Sequence, residues 1–549
     1  MSTIPFELFA PYNNEAFLVA DFNHWEPIAM TKGEDGYFRI EVDLDDGRYL
    51  YRFEITSKSW FYEPDQRVQI ADPYATEIDD TEDQNAILEI KNGKRVIGPY
   101  EWKNDMTPLP QDHELIIYEL LVHDFLGHNP GDLTRGKFTD IIPKLDYLTD
   151  LGVNAIELLP VEEYPGENGW GYNPRHFFAV ESSYGTPTEY KQMIDACHGH
   201  GMRVFKDGVY NHAETSTPLA QIDHDYWFHH DPVDAENNWG PEFNYVKYDE
   251  NLDLMPARKF IGDVIGHWVH EYHIDGIRFD AVAQLNNFDA LRYFCEKGKE
   301  ISGEKPFTLI AEYIPDDPEV VLPDGPTDAC WNESFYFAIK DIVTGAEIDI
   351  DTLCDCIDPR RRGYESGVRI VNYLCTHDHN QIMADIGHAG IQGEAAFKRA
   401  AMGAVILLTA IGIPMIWAGQ EFGHYKDKST EPAPIDWGLL DGEDNQQLLQ
   451  LYKALIYLRK TNSALHGNDI DFFHIDPGLP LIAYNRWNGE GARVVTVLNL
   501  SDQYLGGYQI PGMPVDGTWK DWTHDCEVQV SDGTLQIDLG EWEAKVFVI

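Results

Sequence analysis

The sequence predicts an α/β chain built on a (β/α)8 barrel, with a β-sandwich before it and a second β-domain after it. Three observations lead there. Between residues 112 and 460, short apolar runs alternate with helical repeats, the mark of a parallel sheet with helical crossovers. Several of these runs end in an acidic residue that packing does not call for, as active groups do at the C-terminal ends of barrel strands. The flanks, 1–95 and 465–549, instead carry alternating strands separated by turn residues.

In the first flank, the runs 37–42 and 49–55 alternate in polarity and are bounded by Gly33-Glu34-Asp35-Gly36 and Asp45-Asp46-Gly47. A sandwich is the natural product. Thr107-Pro108-Leu109-Pro110 reads as the linker. The first barrel strand lies in 115–121. Ile141, Leu145, Leu148 and Leu151 then fall at helical spacing, and Gly152 closes that helix before a second strand in 153–159. A helix over 190–197 leads through Gly201 to a strand over 202–207, ending in Asp207. The helix 255–272, with Phe260, Val264 and Trp268 four residues apart, precedes the strand that delivers Arg278 and Asp280. The helix 288–301 precedes 307–311, which ends in Glu312. The sixth strand is placed at 329–331. The seventh, 368–375, runs into Thr376-His377-Asp378, and a helix over 395–408 leads to the eighth at 413–417. Strands such as 492–500 and 544–549 complete the final domain.

At 549 residues, 43% of them hydrophobic, the chain can bury a large core across two or three domains. No apolar stretch reaches the eighteen or so residues that a bilayer requires: the most apolar, 404–419, is broken by Gly412 and Pro414. Met1-Ser2-Thr3-Ile4-Pro5 has neither a basic region nor an apolar core, so no signal peptide is expected. Seven cysteines at scattered positions, with no CxxC pair, point to reduced thiols and a cytoplasmic location; Cys354 and Cys356 are expected to be idle rather than metal-bound. The 93 acidic residues outnumber 41 basic ones and give a formal charge of -52. Such a surface repels phosphate backbones and anionic lipid, which argues against nucleic acid or membrane partners and for a neutral substrate. A salty cytoplasm would screen the self-repulsion. Neither oligomeric state nor chain-length preference is legible.

The motifs now assembled resemble a known family. Asp207-Gly208-Val209-Tyr210-Asn211-His212, Gly276-Ile277-Arg278-Phe279-Asp280-Ala281, Ile310-Ala311-Glu312 and Thr376-His377-Asp378 are similar, in order, to the four signature segments of the α-amylase family, glycoside hydrolase family 13. Gly169-Trp170-Gly171-Tyr172 and Tyr184-Gly185-Thr186 resemble its segment before the third strand. Asp21-Phe22-Asn23-His24-Trp25 and Asp72-Pro73-Tyr74-Ala75 resemble the N-terminal carbohydrate-binding modules of branching and debranching enzymes. Phe22 and Trp25 serve there either as packing aromatics or as a sugar-binding face.

The resemblance implies a retaining glycosidase acting on an α-glucan, which needs a nucleophilic carboxylate and a carboxylic acid about 5 Å apart. Asp280 takes the first role and Glu312 the second by position in the motifs. Glu312 is expected to be raised by burial, with Arg278 keeping Asp280 ionised. By the same resemblance, Asp378, His212 and His377 bind the reacting sugar, Tyr172 stacks on it, and Asp207 supports the network. No cofactor is required; family members often carry a structural calcium ion near the third strand, but this sequence has no self-sufficient calcium loop. The acceptor is less determined. Ala281-Val282-Ala283 and Gly419-Gln420-Glu421-Phe422-Gly423 are closer to branching enzymes and trehalose-releasing hydrolases, whereas the segment from Asp207 to His212 is of the hydrolase type. Hydrolysis is preferred, with branching transfer as the alternative and a non-catalytic glucan-binding protein behind both.

Overall fold

The computed structural model describes residues 1–64, 66–79, 81, 84–126, 136–166, 169–233, 238–346 and 349–549. Its centre is a closed barrel of eight parallel strands: β1 (Ile117–Leu120), β2 (Ala155–Leu158), β3 (Arg203–Gly208), β4 (Gly276–Phe279), β5 (Thr308–Ala311), β6 (Ala329–Trp331), β7 (Ile370–Tyr373) and β8 (Ile413–Trp417). Each strand pairs with the next, and β8 closes on β1 through Ile117 and Met415. Strands buried on both faces need near-continuous apolar sequence, and these have it. The inward residues Ile117, Ala155, Phe205, Ile310, Val371 and Met415 fill the lower barrel.

Helices ring the barrel where periodicity predicts them. Pro187–Gly199 starts with Thr186, whose hydroxyl accepts from the Glu189 N–H while the Glu189 carboxylate accepts from the Thr186 N–H. Pro256–Tyr272 buries Phe260, Val264 and Trp268 and packs beside Phe288–Ser302. One segment differs from expectation. The helix expected to run from Ile141 breaks into Phe138–Ile141, a tight turn Ile142–Lys144 and Leu145–Leu151, because Pro143 offers no N–H to continue the ladder.

A small hairpin, Glu162–Glu163 with His176–Val180, leaves the barrel after β2 and carries Tyr172 toward the strand ends. Before the barrel, the three-stranded sheet that includes Ser2–Phe9 and Tyr37–Leu44 packs on the six-stranded sheet that includes Ala16–Ala20 and Gly47–Thr56. Phe6, Leu8 and Phe38 meet Leu18, Phe53 and Ile55 between them. Phe22 packs on Phe6 and Tyr49, whereas Trp25 is 40% exposed. Asn13 ties the sandwich to the barrel loops by donating to the Ile222 carbonyl at 3.1 Å.

After the barrel, an eight-stranded antiparallel sheet runs from Asp469 to Val548. Arg486 anchors it: wholly buried, the guanidinium donates to the carbonyls of Thr409 at 2.9 Å and Gly467 at 2.6 Å. Among the described residues no helix is long and apolar enough to cross a membrane. All seven cysteines are unpaired, Cys354 and Cys356 among the buried ones.

Candidate active site

The strand ends of the barrel open into a cavity of about 700 Å³. Asp280, Glu312, Asp378, His212, His377 and Tyr172 all line it. Asp207 and Arg278 lie beneath, almost wholly buried. All eight residues singled out from sequence are therefore gathered in one place.

Arg278 is the hub. Its Nη1 donates to both oxygens of Asp207 at 2.8 and 2.7 Å and to Asp280 Oδ1 at 2.9 Å, while Nη2 stands 3.1 Å from Glu312 Oε2. Two carboxylates on neighbouring nitrogens of one guanidinium are held close together. The Trp331 ring packs 4.1 Å from the guanidinium carbon and shuts out water from below. So many anions keep the guanidinium charged despite its burial.

The backbone fixes the second carboxylate. After β4 the chain turns sharply at Ala281, whose φ of 50° lies in the left-handed region. That turn aims the Ala281 N–H at Glu312 Oε2, 2.8 Å away, while the N–H of Val282 bonds to the Glu312 carbonyl at 2.9 Å. Both of these polar contacts of the carboxyl use Oε2, and the side chain lines the cavity.

Asp280 departs from expectation. Sequence reasoning has Arg278 keep it ionised, but burial and the neighbouring Glu312 push its carboxyl well above the ordinary range, and Arg278 recovers only part of this. The repulsion of the neighbouring Glu312 charge is thus, after burial, the main cause of the rise at Asp280.

Asp378 shows the opposite balance. Burial disfavours its charge, but His377 Nε2 lies 3.2 Å from Oδ2 and Lys428 Nζ donates to Oδ1 at 2.9 Å, and together they hold it below the ordinary range. Burial alone would lower His377; Asp378 and Glu119 outweigh it and raise the ring to about 10. His212 has no such anion, and burial lowers it to about 4. It is therefore neutral at pH 7, its Nε2–H donating to the Tyr172 carbonyl at 2.8 Å and its Nδ1 left as an unpaired acceptor. The Tyr172 hydroxyl donates to Asp207, and its ring stacks on His377 with centroids 5.0 Å apart.

Lys428, Glu119 and Glu157 are among the residues at the site that were not singled out from sequence. Lys428 sits in a loop after β8, about fifty positions beyond its partner in a polar stretch without periodicity. Glu119 and Glu157 lie inside apolar runs rather than at their ends. An acid within such a run is the signal that could have found them. Among the described residues no group of three or more His, Cys, Asp or Glu side chains is arranged to hold a metal ion.

Comparison with known proteins matches two parts of the chain to families. Residues 92–320 match the family model for the alpha amylase catalytic domain, and residues 2–75 match carbohydrate-binding module 48, the isoamylase N-terminal domain. Those two spans therefore read as an alpha amylase catalytic domain and an N-terminal carbohydrate-binding module. The catalytic-domain match ends before β6, so Asp378 joins the site through the closure of the barrel rather than through that match. The chain is 26% identical to the malto-oligosyltrehalose trehalohydrolase of Saccharolobus solfataricus, over 83% of this chain and 85% of the relative. It is 25% identical to the 1,4-alpha-glucan branching enzyme GlgB of Nitrosomonas eutropha, over 94% and 74% respectively. Its fold matches that of pullulanase type I from Bacillus subtilis, solved with maltose, with a TM-score of 0.83 at 22% identity, covering 100% of this chain and 84% of the other.

Proposed function

We propose that this chain is a retaining α-glucan hydrolase of the alpha-amylase family. The observation that carries the reading is the single guanidinium of Arg278 holding Asp280 and Glu312 at the cavity, with Asp378 beside them. Asp280 attacks the anomeric carbon as the glycosidic C–O bond breaks, and Glu312 gives its proton to the departing oxygen. Glu312 then takes a proton from water, which attacks the same carbon and releases Asp280. The first half-reaction needs Glu312 protonated and Asp280 ionised; in the second, Asp280 is esterified to the sugar and Glu312 starts as the carboxylate. Asp378, firmly ionised, grips the ring hydroxyls and favours the oxocarbenium-like transition state. Tyr172 and neutral His212 bind the same sugar, and Asp207 holds Arg278 and Tyr172 in place.

The relatives support an α-glucan as substrate: a trehalohydrolase, a branching enzyme and a pullulanase share this architecture. We assign residues 1–95, 112–460 and 465–549 to the three domains. Seven unpaired cysteines favour a reducing, cytoplasmic setting. Branching transfer, with a glucan hydroxyl replacing water, is the second reading, favoured by the likeness to GlgB along 94% of the chain. Proton NMR of the products from linear amylose separates the two. Growth of reducing-end signals alone is the expected result; new α-1,6 signals with little reducing-end gain would establish transfer.

A further inference from the structure

Below the cavity lie two carboxyl groups that this scheme does not use. Glu119 on β1 and Glu157 on β2 are register partners, so they sit side by side at one level of the barrel, 1% and 2% exposed. Glu119 Oε1 receives His377 Nδ1 at 2.7 Å. Among the described residues, the other oxygen of Glu119 and one oxygen of Glu157 have no hydrogen-bond partner.

His377 hydrogen-bonds one carboxylate at Nδ1 and has a second 3.2 Å from Nε2, and two flanking anions favour the imidazolium. We propose that Glu119 is a positioning residue: it holds His377 as an imidazolium, which fixes the orientation and charge of Asp378 toward the sugar. The inference rests on the glycosidase reading above and extends it by one residue. The groups facing His377 are Glu119 from β1, Glu157 from β2, Arg278 from β4 and Asp378 on its own turn, with Lys428 reaching Asp378 from the loop after β8. The rings of Tyr172, Trp170, Trp331 and Trp417 enclose the imidazole. Burial and Glu119 push Glu157 well above the ordinary carboxyl range, so it is neutral and does not compete with Glu119 for the cation. Burial also lifts Glu119, but the shared proton stays on the imidazole, whose proton affinity is raised to about 10.

The test combines 15N-histidine NMR of the full chain with pH profiles of amylose turnover for the wild type, Glu119→Gln and Glu119→Asp, the His377 signal being assigned by its loss in His377→Gln. In the wild type, His377 is expected to read as imidazolium at pH 8; a neutral ring there would overturn the proposal even if no variant folded. Glu119→Gln keeps an acceptor but loses the charge. Its kcat is expected to fall by about 10–100-fold, as for other orienting partners, with its basic limb moved to lower pH, KM changed less than kcat, and partial recovery in Glu119→Asp. A profile identical to wild type, or a loss uniform across pH with His377 still charged, would overturn it. Glu312→Gln serves as the control. If that variant keeps full turnover, the glycosidase reading fails; if it is inactive while Glu119→Gln matches wild type, only this inference fails.

Discussion

Asp280 and Asp378 stand at the same cavity, both buried and both next to cations, yet the protein pushes them in opposite directions. Asp280 shares Arg278 with Asp207 and Glu312, so one positive charge is divided among three carboxylates and the group is raised. Asp378 faces two cations, Lys428 and a His377 that it shares with Glu119, and is lowered. Ionisation here follows the ratio of cations to anions within a few ångströms rather than burial alone. On the proposed mechanism this sets a raised carboxyl at the bond being made and broken against a permanent anion beside a developing cation.

The most severe way to break the contrast is to remove the nucleophile. Asp280→Asn should lower kcat by on the order of 10⁵–10⁶-fold, as deleting the nucleophile does in other covalent mechanisms, measured by reducing-end release. Glu312→Gln should cost about 10²–10⁴-fold with glucans but much less with an α-glucosyl fluoride, whose leaving group needs no proton; equal losses on both substrates would contradict the acid role. Lys428→Met leaves Asp378 with His377 alone. Because the lysine is 47% exposed and screened by solvent, the expected loss in kcat/KM is only about tenfold or less, and it should shrink further in molar salt.

The smallest effects concern stability. His377 is raised in the folded state, so its contribution is complete below the unfolded value near 6.5 and is lost as pH climbs toward about 10. Urea midpoints should therefore fall across that window in the wild type, and fall less in His377→Gln. At Ala281, Ala281→Val places a β-branched residue at a φ of 50° and should cost about 1–3 kcal/mol, whereas Ala281→Gly should leave the midpoint nearly unchanged.

Much of this was legible before the structure. The alternation of apolar runs and helical repeats places all eight barrel strands, because a parallel strand buried on both faces has no other way to be written. Asp207, Asp280 and Glu312 stand out because an acid closing an apolar run lacks a packing reason. Glu119 and Glu157 escaped that rule, since each interrupts its run before the end and is buried within the barrel. Lys428 left no trace in sequence: its place depends on Lys426 pairing with Asp124 at 2.7 Å and on the Lys428 N–H bonding to Asn380 at 2.8 Å, contacts that arise only in the folded chain. The balance of charges around Asp280 is illegible for a related reason. Sequence shows Arg278 two positions away, but not that Asp207 and Glu312 claim the same guanidinium.

The most direct measurement is to trap the glycosyl-enzyme intermediate with a fluorinated α-glucosyl fluoride and locate the added mass by peptide mapping. The account predicts a single sugar adduct on the peptide carrying Asp280, formed in the wild type and accumulating further in Glu312→Gln. An adduct on Asp207 or Asp378, or turnover that inverts the anomeric configuration with no adduct, would contradict it.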